Sequence, residues 1–390
     1  MPRVPQREKL FNEPDFMNLL VLGDDAISFE FVRRLALRPG EFQILNICPP
    51  LPGLPGTTDL EAALATSDVE AALICGPLDS RGEWLRRAAG QGWVCLCLNP
   101  PGPNTDPYYQ VALSNHEFGA IVVPNLPLRF HPGIQRIRST TGPNSSAGAI
   151  ESIVIDIETD GHSQNLVLTP FADWADVVRH LLGDVENIAA MGFPPGLQPT
   201  DRLTAQLRAA GDKRAELTIR TGTKRNYARM TVNTATAVIQ LAFDPLANDA
   251  GTLEVKSTGD DTPAKPEPLG QWDQYNLIID MWLETFRQKR PTGLTLHDGI
   301  RSMEVAEGAI RSLRRGRAID LYYEEVSEAN NFKTIMTSLG CLMVISVIFA
   351  LPLILAGPAL GLPFTLYLGY LIPLAMGGFV ALQLLRLAIK

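Results

Sequence analysis

The sequence has no excess of basic residues, no even set of cysteines and no G-K-[ST] phosphate loop. Its 34 Lys and Arg residues are outnumbered by 42 Asp and Glu residues, which gives a formal net charge of -8. Because nucleic acids bind to basic surfaces, we exclude a nucleic-acid partner. Four of the five cysteines lie in apolar segments, which is typical of reduced thiols. Since no histidines accompany Cys75, Cys95 and Cys97 in a metal-site pattern, we expect no metal.

Charged residues are also missing from residues 334–385, where Asp, Glu, Lys and Arg are all absent. Such a run exceeds the roughly 20 apolar residues that cross a bilayer once, so it predicts a transmembrane hairpin over 335–385. Basic residues flank only its outer ends, at Lys333 and Arg386. The positive-inside rule then predicts an inner-membrane location, with the bilayer as a partner and both termini cytoplasmic. The alternatives are a re-entrant or monotopic insertion and a buried hairpin in a core.

The remaining chain divides by its hydrophobic period. Residues 1–16 are expected to be a flexible tail and residues 326–334 a linker. In residues 17–126, short apolar runs alternate with helix-like segments, which predicts an α/β domain with a Rossmann-like parallel sheet. In residues 127–325, apolar and polar residues alternate and two amphipathic helices follow, and TLHD (295–298) predicts a capping-box-like start for the second of them. This second pattern predicts an α+β domain with an open antiparallel sheet.

Four blocks of sequence carry a family resemblance. They are SDVEAALICGP (67–77), AAGQGWVCLCLNPPG (88–102), LPLRFHPGIQRIR (126–138) and LHDGIRSMEVAEGAIRSLRRGRAIDL (296–321). In this order they resemble the Gfo/Idh/MocA oxidoreductases, the glucose-fructose oxidoreductase and inositol dehydrogenase family, over about residues 17–323. The resemblance implies a Rossmann domain for NAD(P), sugar or polyol substrates, and a second sheet that contacts another copy or a protein partner. The hairpin lies outside the family pattern.

The loop after the first predicted strand is a candidate cofactor site. The resembling family has G-x-G-x-x-G there, whereas this chain has GDDAIS at 23–28. Asp25 replaces the glycine that lets the backbone approach the pyrophosphate, and its carboxylate would repel that anion. A NAD or NADP site would then be weak or lost. Alternatively, Gly23 only forms a turn and Asp24 or Asp25 caps the next helix. The cofactor-binding candidates are Gly23, Asp24, Asp25, Ala26, Ile27, Ser28, Cys75, Pro77, Asn99 and Pro100.

The turn after the fourth predicted strand is a candidate catalytic position. The resembling family carries E-K-P there, and its lysine acts at the reacting carbon. This chain has Leu98 and Asn99 in place of the Glu and Lys, and retains only Pro100. An amide can orient a hydroxyl group but cannot transfer a proton. Asn99 is therefore predicted either to orient a ligand or only to close the turn.

A second catalytic position is predicted on the helix that ends in LLG at 181–183. The resembling family has a D-x-x-x-H motif there, and counting back from LLG places Thr169 and Asp173 at its two positions. If the alignment shifts by one helical turn, Asp176 and His180 become the pair, since residues four apart share a helix face. The alternative for Asp176 and His180 is a helix-surface pair.

Two functional hypotheses follow from these departures. The first is a membrane-anchored, catalytically degenerate homologue that binds a ligand or a protein. The alternative is an NAD(P)-dependent oxidoreductase of a sugar, polyol or related small substrate with a rearranged site. Arg129 could contact an anionic ligand at the domain junction or only tie the two domains together. Because function depends on sites and not on fold, the resemblance alone does not decide between them.

Overall fold

The computed structural model describes residues 16–142, 145, 147–160, 166–193, 201–223, 225–259 and 265–323, and residues 348, 349, 352 and 354 of the C-terminal segment. The chain forms two compact units, Met1–Tyr323 and Glu324–Lys390. The helices and strands given below all belong to the first unit. The predicted tail at 1–16 and linker at 326–334 fall outside the described residues, apart from Phe16.

A parallel sheet covered on both faces forms the first part of this unit. Its strands are β1 (Met17–Leu22), β2 (Phe42–Cys48), β3 (Ala71–Ile74), β4 (Val94–Leu98) and β5 (Ile121–Asn125), in the order β2-β1-β3-β4-β5. The connecting helices are α1 (Ala26–Ala36), α2 (Leu60–Leu64), α3 (Leu78–Ala89) and α4 (Asp106–Phe118). Strands β3 and β4 are buried along their whole length because helices cover both faces. The predicted Rossmann-like sheet is confirmed.

The order of the strands places one crevice at the end of β1. From β1 the chain passes to β2 on one side, and then to β3 on the other side of β1. Ligands of open α/β sheets bind at the carboxyl ends of the strands at such a point. Gly23 follows β1 with φ +143° and Gly76 follows β3 with φ +75°, a backbone region that favours glycine. The two glycine turns therefore lie side by side at this crevice.

A second sheet of nine strands follows, in the order β13-β12-β11-β10-β6-β9-β8-β7-β14. Its strands are β6 (Ile150–Asp160), β7 (Val185–Phe193), β8 (Arg202–Ala209), β9 (Arg214–Thr223), β10 (Tyr227–Thr234), β11 (Ala237–Phe243), β12 (Thr252–Ser257), β13 (Glu267–Pro268) and β14 (Ile319–Asp320). Buried and more exposed residues alternate along β8 and β11, which agrees with the predicted one-sided pattern.

The prediction of an entirely antiparallel second sheet is corrected, because β6 and β9 pair in parallel. After β6 the chain passes through a helix to β7, and the antiparallel meander β7-β8-β9 then brings β9 beside β6 in the same direction. The alternating pattern reports one solvent-facing side of a strand. It does not report the direction of the neighbouring strand, so the mixed sheet could not be predicted from it.

Four further helices complete the unit, namely α5 (Pro132–Thr140), α6 (Ala172–Leu182), α7 (Gln274–Gln288) and α8 (Leu296–Arg315). Helix α8 packs against α6 and β7. Helix α7 instead packs against the first sheet, where Trp282 Nε1 donates a hydrogen bond to the Val94 carbonyl oxygen of β4 at 3.1 Å. The chain therefore returns from the second sheet to cover one face of the first.

The predicted hairpin lies in the second unit, and only Ile348, Phe349, Pro352 and Ile354 of it are described. In the part of the chain that the structure describes, no helix combines the length and the apolar character that a membrane span requires. The hairpin itself thus falls outside the described residues.

Candidate functional site

A cavity of about 460 Å³ lies at the carboxyl ends of β4 and β5. Asn99 and Pro100 of the turn after β4 form one wall, and Asp173 from the first turn of α6 forms another. The end of β6 contributes Glu158, and the start of α7 contributes Tyr275. Most of the lining surface is apolar. The cavity thus lies between the two sheets, where small-molecule sites of this sheet type are expected.

Three polar side chains form a hydrogen-bonded chain at the cavity wall. Asn99 Nδ2 donates to Asp173 Oδ1 at 3.2 Å, and the Tyr108 hydroxyl donates to Asn99 Oδ1 at 3.4 Å. Tyr108 is fully buried and Asn99 is largely buried, so the amide is held from behind. The structure thus brings together Asn99 and Asp173, which the sequence placed at two separate catalytic positions. Thr169, the partner of Asp173 in the predicted motif, also lines the cavity.

Burial controls the protonation of Asp173. It raises the pKa of this carboxyl group from 3.8 to about 8, with a smaller contribution from the charge of Asp176, while the hydrogen bond from Asn99 acts in the opposite direction. A carboxyl group with this pKa is largely protonated at neutral pH and can still lose its proton to solvent or to a ligand. Asp173 therefore has the property that a general acid or base needs.

Arg129 joins three elements and is not one of the residues that line the cavity. Its guanidinium donates to both carboxylate oxygens of Asp176, with Nε to Oδ2 at 2.8 Å, and to Asp298 Oδ1 at 3.0 Å. Burial alone would lower the pKa of Arg129, but Asp176 and Asp298 outweigh burial and raise it. Of the two interpretations of Arg129, the geometry agrees with the one in which it ties parts of the molecule together.

Asp176 and His180 lie on the same helix but have different partners. Asp176 binds Arg129, whereas the His180 ring contacts Arg138 Nη1 at 2.8 Å and Gln135 Nε2 at 3.3 Å. Burial and the charge of Arg138 lower the pKa of His180 to about 4. The one-turn shift that would make these two residues an acid/base pair is therefore not realised in the contacts of the described residues.

Asp25 caps α1 and reaches across the crevice at the same time. Its Oδ1 accepts hydrogen bonds from Ser28 N at 2.7 Å and from Ser28 Oγ at 2.6 Å. Its Oδ2 accepts a hydrogen bond from Gly76 N at 3.1 Å. The carboxylate thus agrees with the capping alternative, and it also occupies the backbone donors that face the crevice. Asp24 is exposed beside it.

The other cofactor-binding candidates are spread along the same edge of the sheet. Ile27 lines the cavity, and Ala26 is exposed in the first turn of α1. Cys75 is buried, and burial raises its thiol pKa far above the usual value. Pro77 is the residue that precedes α3. Only Ile27, Asn99 and Pro100 among these candidates line the cavity itself.

Sequence reasoning missed Arg81, which connects two turns beside the cavity. Its Nη1 donates to the Pro100 carbonyl oxygen at 2.6 Å and its Nη2 donates to the Gly76 carbonyl oxygen at 2.6 Å. Backbone carbonyl oxygens thus hold both terminal nitrogens, while the buried Nε has no hydrogen-bond partner among the described residues. Tyr108 and Tyr275 were missed as well, since an aromatic residue in the first turn of a helix carries no functional signal by itself.

The two ends of the crevice differ in their fit to a nicotinamide dinucleotide. The cavity at Asn99 and Asp173 has the size of a small-molecule site. The turn that would hold the pyrophosphate has its donors, Ser28 N and Gly76 N, bonded to Asp25. Strand β2 ends at Cys48 and Pro49 and supplies no carboxylate for a ribose. The phosphate end, with Asp25 in this position, does not fit the cofactor.

No metal site is found in the described part of the molecule. None of its groups of three or more His, Cys, Asp or Glu side chains is arranged to hold a metal ion. The thiols of Cys95 and Cys97 are buried in the core, and burial raises both of their pKa values. These cysteines therefore pack as core residues.

Comparison with known proteins shows a likeness in fold. No family model matches the sequence, and no curated protein matches it. A levoglucosan dehydrogenase in complex with NADH is similar, with a TM-score of 0.68 and 13% identity over 79% of this chain and 100% of that chain. An oxidoreductase from Agrobacterium radiobacter in complex with NAD+, L-tartaric acid and magnesium has a TM-score of 0.66 and 14% identity over 78% of this chain and 98% of that chain.

These similar structures are Gfo/Idh/MocA-type, NAD-dependent oxidoreductases. The predicted inner-membrane location is corrected, because no membrane-spanning helix is found among the described residues and the similar structures are named as dehydrogenases and oxidoreductases. The likeness in fold is to dehydrogenases and oxidoreductases, and the comparisons show no membrane anchoring. At these identities the likeness is one of fold alone.

Proposed function

We propose that this chain is an oxidoreductase of a sugar, polyol or related uncharged substrate with a rearranged active site. The observation that carries the proposal is the Asp173 carboxyl group, which lines the cavity and is held by Asn99. The solved structures of similar fold, among them levoglucosan dehydrogenase with NADH, support the same class of reaction. Family members use lysine and histidine at these positions, so the rearrangement consists of a single carboxyl group in their place.

The uncharged character of the substrate follows from the cavity wall. Arg81 is the cation that lines the cavity, and its terminal nitrogens already bind the carbonyl oxygens of Pro100 and Gly76. A phosphate or carboxylate on the substrate would be disfavoured, because the acidic lining residues Asp173, Glu158 and Asp160 outnumber the single described cation of the lining, Arg81. Hydroxyl groups, in contrast, can both donate to and accept from Asp173 and Asn99.

The proposed roles of the residues follow from their hydrogen bonds. Asp173 takes a proton from the substrate hydroxyl group during oxidation, or returns it during reduction, because its pKa of about 8 lies near neutral pH. Asn99 orients Asp173 through Nδ2, and Tyr108 fixes the amide through its hydroxyl group.

A nicotinamide dinucleotide would supply the hydride acceptor or donor in this reaction. Asn99, Pro100 and Ile27 line the part of the cavity nearest to the crevice. The phosphate end does not fit the cofactor while Asp25 holds Ser28 N and Gly76 N. The proposed oxidoreductase therefore holds NAD or NADP weakly.

Ligand binding without turnover is the second candidate function. The position of Asp25 favours it, since a carboxylate bonded to the phosphate-binding donors opposes a dinucleotide. In this case Asp173 and Asn99 would still bind a polyhydroxylated ligand, but no hydride would be transferred.

Turnover by the full chain tests the proposal. Glucose, sorbitol and inositol are supplied with saturating NAD+ or NADP+, and the absorbance of the reduced nicotinamide is followed. We expect turnover that falls at least about 100-fold in Asp173→Asn, because an amide cannot transfer the proton. The matched control is Asp68→Asn, at an exposed residue with φ +63°, which should retain the full rate.

Fluorescence of Trp174, which lines the cavity, separates the two candidates. A fluorescence response to a polyol without nicotinamide reduction would replace the proposed function with the second candidate. If none of the three compounds gave turnover or a fluorescence response, both candidate functions would be overturned. An Asp173→Asn variant that turns over at the normal rate would remove Asp173 from its role.

A further inference from the structure

Asp25 makes more contacts than a helix cap requires. One carboxylate oxygen, Oδ1, already caps α1 by accepting from Ser28 N at 2.7 Å. The second oxygen, Oδ2, accepts from Gly76 N at 3.1 Å, in the turn after β3 and 51 positions away in the chain. A cap alone would leave Oδ2 to solvent. Through its two contacts together, the negatively charged carboxylate lies against the backbone donors of both turns.

The two turns that Asp25 bridges are in direct contact with each other. A Cβ atom added to Gly23 would lie 2.7 Å from Gly76 N, and one added to Gly76 would lie 3.2 Å from the Gly23 Cα atom. Only glycine fits at either position, because each also has positive φ. The crevice at the end of β1 and β3 is therefore built for a close approach of backbone, and the Asp25 carboxylate is the group that fills it.

The Asp25 carboxylate takes the place that the anionic group of a ligand would occupy. The N-terminus of α1 carries partial positive charge and free N–H groups, which bind phosphates in dinucleotide sites. Here Ser28 N of this helix and Gly76 N of the turn after β3 bind a carboxylate of the same chain. A phosphate in the same place would lose those donors and would meet a like charge at contact distance.

We infer that the Asp25 carboxylate is an internal competitor of dinucleotide phosphates, so that NAD or NADP binds only when this carboxylate leaves Ser28 N and Gly76 N. The inference rests on the proposed function only in naming the dinucleotide as the competing ligand. It assigns the weak cofactor binding of this chain to one side chain. Removal of that side chain should create a stronger phosphate site without any other change.

Binding of ADP-ribose to the full chain tests this inference, because this probe carries the pyrophosphate and cannot take part in hydride transfer. The variants are Asp25→Ser and Asp25→Gly, since serine and glycine are both accepted helix caps. By calorimetric titration we expect each to bind ADP-ribose at least about tenfold more tightly than the wild-type chain, which corresponds to about 1.4 kcal/mol. Asp25→Asn should gain less, because its single amide oxygen can still accept from one of the two donors, Ser28 N or Gly76 N.

The matched control is Asp24→Ser, which removes a neighbouring exposed charge and leaves the carboxylate of Asp25 in place. It should gain little affinity, and an equal gain would assign the effect to net charge and overturn the inference. The inference would also be overturned if wild-type chain bound ADP-ribose at micromolar concentration, or if both Asp25→Ser and Asp25→Gly, with wild-type melting behaviour, gained no affinity. If the chain turned over a polyol but Asp25→Ser bound ADP-ribose no more tightly, the proposed function would stand and this inference would be overturned. If Asp25→Ser bound ADP-ribose more tightly but no polyol were turned over, this inference would stand and the proposed function would be overturned.

Discussion

Burial, more than any charged neighbour, sets the protonation of Asp173 at the cavity and of two histidines that do not line it. It raises the pKa of Asp173 to about 8 and lowers the pKa values of His131 and His180 to about 4. All three side chains are therefore mainly uncharged near pH 7. Because the folded and unfolded chains bind protons differently at these groups, single buried residues make the stability of the protein depend on pH.

His131 shows most clearly how burial lowers the pKa of a histidine. Its ring is fully buried, stacks on Phe243 at 4.0 Å between ring centroids, and accepts a hydrogen bond from Gly133 N through Nδ1. The proton of the neutral ring is thus on Nε2, which has no partner among the described residues. A second proton would be placed in an apolar core, which explains the lowered pKa.

We expect this histidine to make the protein less stable in acid. Because its pKa is about 4 in the folded chain and 6.5 in the unfolded chain, the unfolded chain alone takes up a proton as the pH falls from about 6.5 to 4. The free energy of unfolding should fall by about 3 kcal/mol over this range. In His131→Phe this part of the pH dependence should be lost, as measured by urea unfolding at several pH values.

The control for this measurement is His297→Gln, at a less buried histidine. It should retain most of the pH dependence. If His131→Phe showed the same fall in stability as the wild-type chain, another group would be responsible for it.

At the scale of elements, one buried cation holds α6 in place. Arg129, in the turn after β5, binds Asp176 of α6 and Asp298 of α8. Asp298 also completes a capping box with Thr295, which confirms the helix start predicted from the TLHD sequence. Asp173 is one helical turn before Asp176, so the ion pair positions the residue that lines the cavity.

Loss of this cation should be costly. In Arg129→Met the buried carboxylate of Asp176 loses its partner, and we expect the free energy of unfolding to fall by about 3–5 kcal/mol. The control is Arg86→Met, which breaks the solvent-exposed pair with Glu83 and should cost less than about 1 kcal/mol. If chemical unfolding gave the same loss in free energy of unfolding for both variants, the buried ion pair would stabilise the protein no more than the exposed pair does.

At the scale of the whole molecule, the first unit is held together by a late helix. Trp282 of α7 is fully buried among residues of the first sheet and bonds to the Val94 carbonyl oxygen. One compact unit spans Met1–Tyr323, so the division into 17–126 and 127–325 stays a prediction about sequence segments. A second copy or a protein partner on the outer face of the second sheet also stays a prediction.

The packing of α7 predicts that the two sheets unfold together. We expect Trp282→Ala to lower the free energy of unfolding by about 3–5 kcal/mol while one cooperative transition is retained. Trp282→Phe keeps the aromatic ring and loses the hydrogen bond to Val94, so it should cost about 1 kcal/mol. Circular dichroism and tryptophan fluorescence should give the same midpoint in urea. Two separate transitions in the wild-type chain would contradict the role of α7.

The sequence by itself determined the parallel sheet, the alternation in the second sheet, the helix cap at Thr295 and the absence of the usual lysine at Asn99. These features depend on local periods and on residue types, which the sequence records directly. The sequence also indicated Asn99 and Asp173 as candidate catalytic residues, but as separate points on the chain.

Only the tertiary structure decided how these points meet. The contact between Asn99 and Asp173 joins residues 74 positions apart, and the bond from Gly76 to Asp25 joins residues 51 positions apart. The parallel pairing of β6 and β9 and the return of α7 to the first sheet likewise depend on the path of the chain. Burial, which gives Asp173 its raised pKa, arises only when distant segments close around a side chain, so no local pattern can report it.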